Sequence, residues 1–160
     1  MSLRFPMYVD LERKKILVIG AGKVAARRIR TLLLFGADIT VIAREIPEEV
    51  RQEMEMLVQR EKIHLRLAAV KPEDISDTYF FVLSAVNEPE TDAVIEQRCR
   101  DLGIPVNIAS DRNRSDFYFP AVICTQDQVI AVAGDGADHR KTARMAAELR
   151  AWVSDKGDRI

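Results

Sequence analysis

Residues 16–25 constrain this chain more than any other stretch. Ile16-Leu17-Val18-Ile19 is a short, β-branched apolar run, which reads as a buried strand. Gly20-Ala21-Gly22-Lys23-Val24-Ala25 follows directly as G-x-G-x-x-A. In such a motif Gly20 permits the tight turn after the strand, Gly22 lets a pyrophosphate approach the backbone, and small Ala25 lets a helix pack on the sheet. Apolar residues recur at helical spacing through Val24, Ile29, Leu32 and Leu33, and Gly36 supplies the stop. A helix starting here turns free N–H groups and the positive end of its dipole toward an anion. The glycines alone are unspecific. A strand before them, a helix after them and a second strand over residues 38–42 supply the context of a dinucleotide-binding turn. A tight turn in some other α/β protein is the competing reading.

The remaining chain alternates in the same way. Pro47-Glu48-Glu49 opens a helix to about residue 60, with proline in the first turn and acids where the dipole favours them. Residues 63–67 read as a half-buried strand and 71–77 as a loop. Residues 79–83 are wholly apolar and aromatic, which places them at the centre of the sheet. A helix over 89–102 ends at Gly103, and residues 104–108 form the fifth strand. This alternation predicts a parallel sheet covered by helices. After about Asp111 the rhythm changes. Strands over 117–123 and 128–133, separated by Thr125-Gln126-Asp127, form a hairpin, and a helix runs from His139 to about Val153. The chain therefore divides near residue 112, into a dinucleotide-type domain over 1–112 and a smaller region over 113–160. Two strands and a helix cannot bury a core alone. That region must pack on the first domain, on another subunit, or on both.

Composition excludes several classes. Lys plus Arg number 24 and Asp plus Glu 25, a net charge of -1, so the chain is no bulk polycation and no nucleic-acid partner is expected. No uncharged apolar run approaches the ~20 residues of a membrane span, and residues 1–10 show no signal-peptide stretch. Cys99 and Cys124 make neither a disulfide scaffold nor a zinc site, which points to a reducing cytoplasm. Met1-Ser2-Leu3 reads as a cloning scar or as a native start.

Ligands of an open parallel sheet bind outside the carboxyl ends of its strands. Here those ends are Gly20, Ala43, the stretch Ser84-Ala85-Val86-Asn87, and Asn107-Ile108-Ala109-Ser110. Gly20, Ala21, Gly22, Lys23 and Val24 are the expected pyrophosphate cradle. Ser84, Ala85 and Asn87 would lie along the cofactor. Asn87 can bond a ribose or carboxamide, or it can cap the helix that begins at Glu88-Pro89. The acid that bonds an adenine ribose is missing after the second strand, where Ala43 and Arg44 stand. Arg44 can meet a 2′-phosphate or simply be solvated, so charge alone leaves NAD and NADP open.

Five stretches in order give the chain a family likeness: Tyr8-Val9-Asp10-Leu11, residues 18–25, Thr40-Val41-Ile42-Ala43, Val106-Asn107-Ile108-Ala109, and Asp116-Phe117-Tyr118-Phe119-Pro120-Ala121. The chain resembles the precorrin-2 dehydrogenases of sirohaem synthesis, found alone or as the N-terminal module of sirohaem synthase. The Val-Asn strand end together with the Phe-Tyr-Phe-Pro hairpin is the specific part. The resemblance implies a Rossmann-type domain with a small dimerisation region, hence a homodimer. It implies NAD as cofactor and oxidation of the tetrapyrrole precorrin-2 to sirohydrochlorin. Ferrochelatase activity accompanies this in some members, and a further helical domain often follows the region at which this chain stops. Two departures stand out. The family places an aspartate three residues after the Asn; Ser110 stands there, with Asp111 next. The family's hydroxyl-bearing Ser/Thr-Gly-Gly-x-Ser-Pro turn reads Gly134-Asp135-Gly136-Ala137-Asp138-His139.

A tetrapyrrole of this class is a polyanion and calls for guanidinium groups. Arg112, Arg114, Arg140 and Lys141, with Asn107 and Ser110, are the substrate-binding candidates. Hydride transfer also releases a proton. Asp111 is the candidate acceptor, with an Asx turn as its alternative role. The spacing of Asp111, Asp116, Asp135, Asp138 and His139 forms no recognisable metal motif, so no metal site is expected. A non-catalytic dinucleotide or tetrapyrrole binder, acting as sensor or carrier, is the alternative to an enzyme. A transporter's regulatory nucleotide domain ranks last, since it should carry the missing ribose acid.

Overall fold

The computed structural model describes residues 4–59, 63–134 and 138–156. It divides into two compact units, Val9–Phe117 and Met1–Tyr8 with Tyr118–Ile160. The larger unit holds a five-stranded sheet in the order β3-β2-β1-β4-β5. Its strands are β1 (Lys15–Ile19), β2 (Asp38–Ala43), β3 (Ile63–Leu67), β4 (Phe81–Ser84) and β5 (Val106–Ile108). All its pairings are parallel, with Val18 of β1 opposite Val41 of β2 and Leu83 of β4. This is the doubly wound α/β architecture expected from the alternating pattern.

Burial explains why these residues form these strands. Ile16, Leu17 and Val18 are wholly buried and Ile19 nearly so. A strand covered on both faces needs a continuous apolar run, and β1 has one. Helix α1 (Lys23–Leu33) buries Ala25, Ala26, Ile29 and Leu32; of the spaced apolar residues Ile29 and Leu32 face the core, while Val24 is exposed and Leu33 half-buried. Helix α3 (Pro89–Leu102) starts with proline in its first turn, buries Ile95 and Cys99, and stops at Gly103 in the left-handed conformation. Ile95 and Cys99 join Leu17, Ile19, Val82, Val106 and Ile108 in one apolar cluster.

The structure redraws several predicted boundaries. The centre of the sheet is β1, with β4 lying between β1 and β5. The fourth strand starts only at Phe81: Tyr79 N–H closes a turn on Ser76 O, and Phe80 N–H makes the first bond to the sheet, at Lys15 O of β1. The helix expected from Pro47 is a 3-10 turn (Glu48–Val50) followed by α2 (Arg51–Val58). Val50, at φ -126° and ψ 4°, interrupts the helical backbone between them; residue 60 lies outside the described residues. The loop over 71–77 contains a 3-10 turn, Pro72–Asp74.

In the smaller unit, β6 (Ala121–Cys124) and β7 (Val129–Val132) form the expected antiparallel hairpin, and α4 (His139–Lys156) follows. The strand over 117–123 begins four residues late, at Ala121. Pro120 has no N–H for a ladder, and Phe117 O instead accepts the Asn107 amide. Ile123, Val132 and Ala146 form a small core, with Ala121, Ile130, Leu149 and Val153 packed on it. Tyr8 donates its hydroxyl to Val129 O at 3.1 Å, and the Arg4 guanidinium lies 4.2 Å from the Tyr118 ring centre. These contacts join the N-terminal segment to this unit. Among the described residues no helix is long and apolar enough to cross a membrane.

The two thiols differ sharply. Cys99 is buried and Cys124 exposed. Burial pushes the Cys99 thiol up to about 12, and the charge of Asp116 adds to the effect. A thiol reagent should label Cys124 rapidly in the folded protein and Cys99 only in denaturant. Raising the pH through 9.0, the ordinary thiol value, should leave Cys99 protected. Equal labelling rates for both thiols in the native protein would contradict this packing of α3.

Candidate functional site

The chain leaves β1 through α1 toward β2 on one side. After β3 it returns to β4 on the other side of β1. The reversal opens a crevice at the carboxyl ends of β1 and β4, and the glycine turn forms its floor. Gly20 has φ +103°, a conformation that L side chains rarely adopt. A Cβ there would lie 2.7 Å from Ala85 O, inside contact distance. Gly20 N–H donates to Ile42 O, and Ala85 N–H donates to Ile19 O, both at 2.8 Å. The ends of β2, β1 and β4 are thus drawn together around a residue that must lack a side chain. Ala21 beside it is buried.

Gly22 differs. It is the N-cap of α1, at φ -81° and ψ -176°, and no side chain caps the helix. A Cβ added there meets nothing within 4 Å. Neither backbone conformation nor packing calls for glycine at this position. A residue without a side chain here leaves the helix start open to an approaching anion, which is the sense in which the residues fit a dinucleotide. The first helical bond runs from Ala26 N–H to Gly22 O, so the earlier N–H groups have no intrahelical partner. The first turn carries no acid that would compete for them. Lys23 is exposed and paired with Glu49 at 3.4 Å, and Val24 is partly exposed.

At the end of β2, Ala43 is buried, and Arg44 Nη1 lies 2.9 Å from Glu88 Oε1. On the other side, buried Ser84 donates to Asp92 Oδ1 at 2.5 Å. Ser110 Oγ donates to Asp92 Oδ2 at 2.8 Å. Asp92 is 1% exposed, so a buried carboxylate joins the ends of β4 and β5 to the first turn of α3. Asn87 is exposed with φ +56°, and the cap position of α3 belongs to Glu88.

Asn107 is 4% exposed. Its Oδ1 accepts from Arg28 Nη1 of α1 at 2.5 Å, and its Nδ2 donates to Phe117 O at 2.7 Å. Burial, aided by the neighbouring Arg27 charge, lowers the Arg28 guanidinium to about 10. Asp111 accepts from Asn113 N–H at 2.9 Å and caps the 3-10 turn Arg112–Arg114. Arg114 Nε pairs with Glu96 of α3 at 2.7 Å, while Arg112 is exposed. Arg140 and Lys141 belong to the smaller unit. They are exposed in the first turn of α4, and their backbone N–H groups donate to Asp138 Oδ1 at 2.9 and 3.0 Å. Residues 135–137 of the Gly134–His139 turn lie outside the described residues. Among the described residues, no group of three or more His, Cys, Asp and Glu side chains gathers to hold a metal.

Glu88, Asp92 and Arg28 are the residues that sequence reasoning passed over. A serine ending an apolar strand, with an aspartate in the first turn of the next helix, was the available signal for Asp92. Nothing local pointed to Arg44–Glu88 or Arg28–Asn107, whose partners are 44 and 79 residues apart.

Residues 7–121 match the family described as "Putative NAD(P)-binding". The "Probable multifunctional siroheme biosynthesis protein HemA" of Ruminiclostridium josui is 33% identical over 145 residues, covering 91% of this chain and 27% of that protein. This chain thus spans about a quarter of that relative. The "Precorrin-2 dehydrogenase" of Bacillus subtilis is 26% identical over 144 residues, covering 90% of this chain and 85% of that protein. Among solved structures, "SirC, precorrin-2 dehydrogenase" superposes with a TM-score of 0.78 at 25% identity, over 92% of this chain and 70% of that one. The resemblance read from the sequence is borne out.

The two motif glycines should separate experimentally. Gly20→Ala forces both strain and a clash and should cost about 2–4 kcal/mol of stability in denaturant unfolding. Gly22→Ala should change stability by no more than about 1 kcal/mol yet weaken dinucleotide binding at least roughly tenfold. Full affinity in Gly22→Ala would remove the reason given for this glycine.

Proposed function

Since the chain belongs to the "Putative NAD(P)-binding" family, we propose that it is an NAD-dependent dehydrogenase that oxidises precorrin-2 to sirohydrochlorin in sirohaem synthesis. The observation that supports the cofactor half is the start of α1, where Gly22 has no side-chain cap and open space in place of a Cβ, leaving the first N–H groups accessible to an anion. The substrate half draws on the name of the Bacillus subtilis relative, aligned over 85% of its length, and on that of the solved structure with the same fold.

Bound NAD supplies the hydride acceptor. Gly20, Ala21, Gly22, Lys23 and Val24 hold the pyrophosphate against the α1 N-terminus. Ala43 and Arg44 face the adenosine half. Ser84, Ala85 and exposed Asn87 face the nicotinamide half, with the Asn87 amide in reach of a ribose or carboxamide. The proton released from the substrate goes to a carboxylate, and Asp111 fills this role; one of its oxygens accepts Asn113 N–H and so fixes the group at the end of β5. The substrate's carboxylates call for cations; Arg112 is the candidate on the nucleotide unit, and Arg140 and Lys141 are the separate candidates on the smaller unit. Arg114 is engaged by Glu96 and so keeps fewer donors for the substrate. Asn107 orients this end of the sheet from within, and Ser110 does so through Asp92. The protein acts as a cytoplasmic homodimer. Phe5, Met7, Tyr8, Met145 and Trp152 of the smaller unit, all left exposed, offer the apolar surface for that association.

The test is anaerobic incubation of the purified chain with precorrin-2 and NAD, following NADH formation and the pigment spectrum. NADH should form in step with sirohydrochlorin. Measurable NAD binding without turnover would instead favour the carrier reading. Asp111→Asn should lower kcat by about 100-fold, the scale of a lost general base, and leave NAD affinity unchanged. An undiminished rate rejects Asp111 as proton acceptor.

A further inference from the structure

The end of β2 is where a doubly wound sheet distinguishes its dinucleotides. An acid there bonds the ribose 2′-hydroxyl of NAD, and an arginine accommodates the 2′-phosphate of NADP. By that rule alone Ala43 and Arg44 would make this an NADP site. The structure adds a third group. Glu88 enters from the head of α3, beyond β4, and places Oε1 2.9 Å from Arg44 Nη1. Its Oε2 accepts the Thr91 hydroxyl at 2.8 Å. One carboxylate oxygen is therefore held by the residue's own helix, and the other is delivered to the guanidinium. Because β1 lies between β2 and β4, the pair reaches across the end of β1, beside the glycine turn.

We propose that Glu88 is a specificity-determining residue that turns an arginine-bearing adenosine site toward NAD. Resting on the dinucleotide reading above, it deepens that reading. The physical argument has two parts. A guanidinium engaged by a carboxylate offers fewer donors to a phosphate. A 2′-phosphate approaching Arg44 must also come close to the Glu88 charge, whereas a neutral 2′-hydroxyl meets no such repulsion and can donate to the carboxylate. The side chains of Arg44 and Glu88 are 64% and 44% exposed, and an exposed pair adds little to folding. The glutamate can therefore be removed without unfolding the chain. The effect is local. Exposed Glu45 carries the same charge next to Arg44 in sequence and makes a suitable control.

The experiment is equilibrium titration of the full chain with NAD and with NADP, at fixed low salt, since screening weakens exposed charges. Wild type, Glu88→Gln, Arg44→Ala, the double variant and Glu45→Gln are compared, each checked for its melting temperature. Wild type should bind NAD more tightly than NADP. Glu88→Gln keeps an acceptor for Thr91 and should bind NADP about tenfold more tightly than wild type, the effect of releasing one charged partner. NAD affinity should move by less than about threefold in that variant. The gain should vanish in the double variant and be absent in Glu45→Gln. Wild-type preference for NADP, an unchanged ratio in Glu88→Gln, or a gain that survives loss of Arg44 each overturns the role of Glu88 alone. Binding of neither dinucleotide by folded wild type overturns both this role and the dehydrogenase reading.

Discussion

The contact on which the nucleotide unit depends is the approach of Gly20 to the carbonyl of Ala85. A side-chain carbon there would sit 2.7 Å from that oxygen, so β1 and β4 can end this close together only around a glycine. The consequences run outward. The β1 and β4 ends stay in hydrogen-bonding register through Ala85 N–H and Ile19 O. The chain reverses sharply enough for Gly22 to become the start of α1. The helix then presents its unpaired N–H groups over the same strand ends at which the sheet order reverses. The four buried apolar residues of β1, Ile16 to Ile19, anchor this turn to the core.

Buried polar groups hold the rim of the crevice in place. A carboxylate as deep as that of Asp92 is tolerable only when hydrogen-bonded, and it has two hydroxyl donors, Ser84 and Ser110. The amide of Asn107 does comparable work between α1 and the segment leaving β5, through Arg28 and Phe117. Val106 N–H and Ile108 N–H, at the outer edge of β5, donate to Asp116 Oδ2 and Ser115 Oγ rather than to another strand. A three-residue edge strand is thus completed by side chains from the turn that follows it.

Much of this was legible in the sequence, and the line between what was read and what was missed is physical. The alternation of apolar runs, helical spacing and stop glycines is local information, and it placed the strands of the sheet and three of the long helices to within a few residues. The misplaced starts share one cause. Tyr79 and residues 117–120 are apolar or aromatic and look like strand, but their backbone groups are claimed by a turn, by a proline and by the Asn107 amide. The strand ends proposed for the cofactor were legible because position in a parallel sheet follows from chain order. Side-chain direction was not. Asn107, read as facing a substrate, has both ends of its amide taken inside the fold. Arg114, read as a substrate-binding cation, is paired to Glu96. Each outcome is decided by a partner on another element, and such partners leave no trace in local composition.

The same distinction bears on how a chain of net charge -1 selects an anion. At the glycine turn the donors open to an anion are backbone N–H groups of the α1 start, and the one cation of that turn, Lys23, is paired with Glu49. Recognition there does not depend on net charge, and it is also blind to what distinguishes NAD from NADP, since both carry the same pyrophosphate. Discrimination must come from side chains at the adenosine end, where Arg44 and Glu88 meet. The backbone that fixes the fold therefore fixes affinity for the class of ligand. The Arg44–Glu88 pair is exposed, and an exposed pair adds little to folding, so substitutions there can be made without changing the architecture.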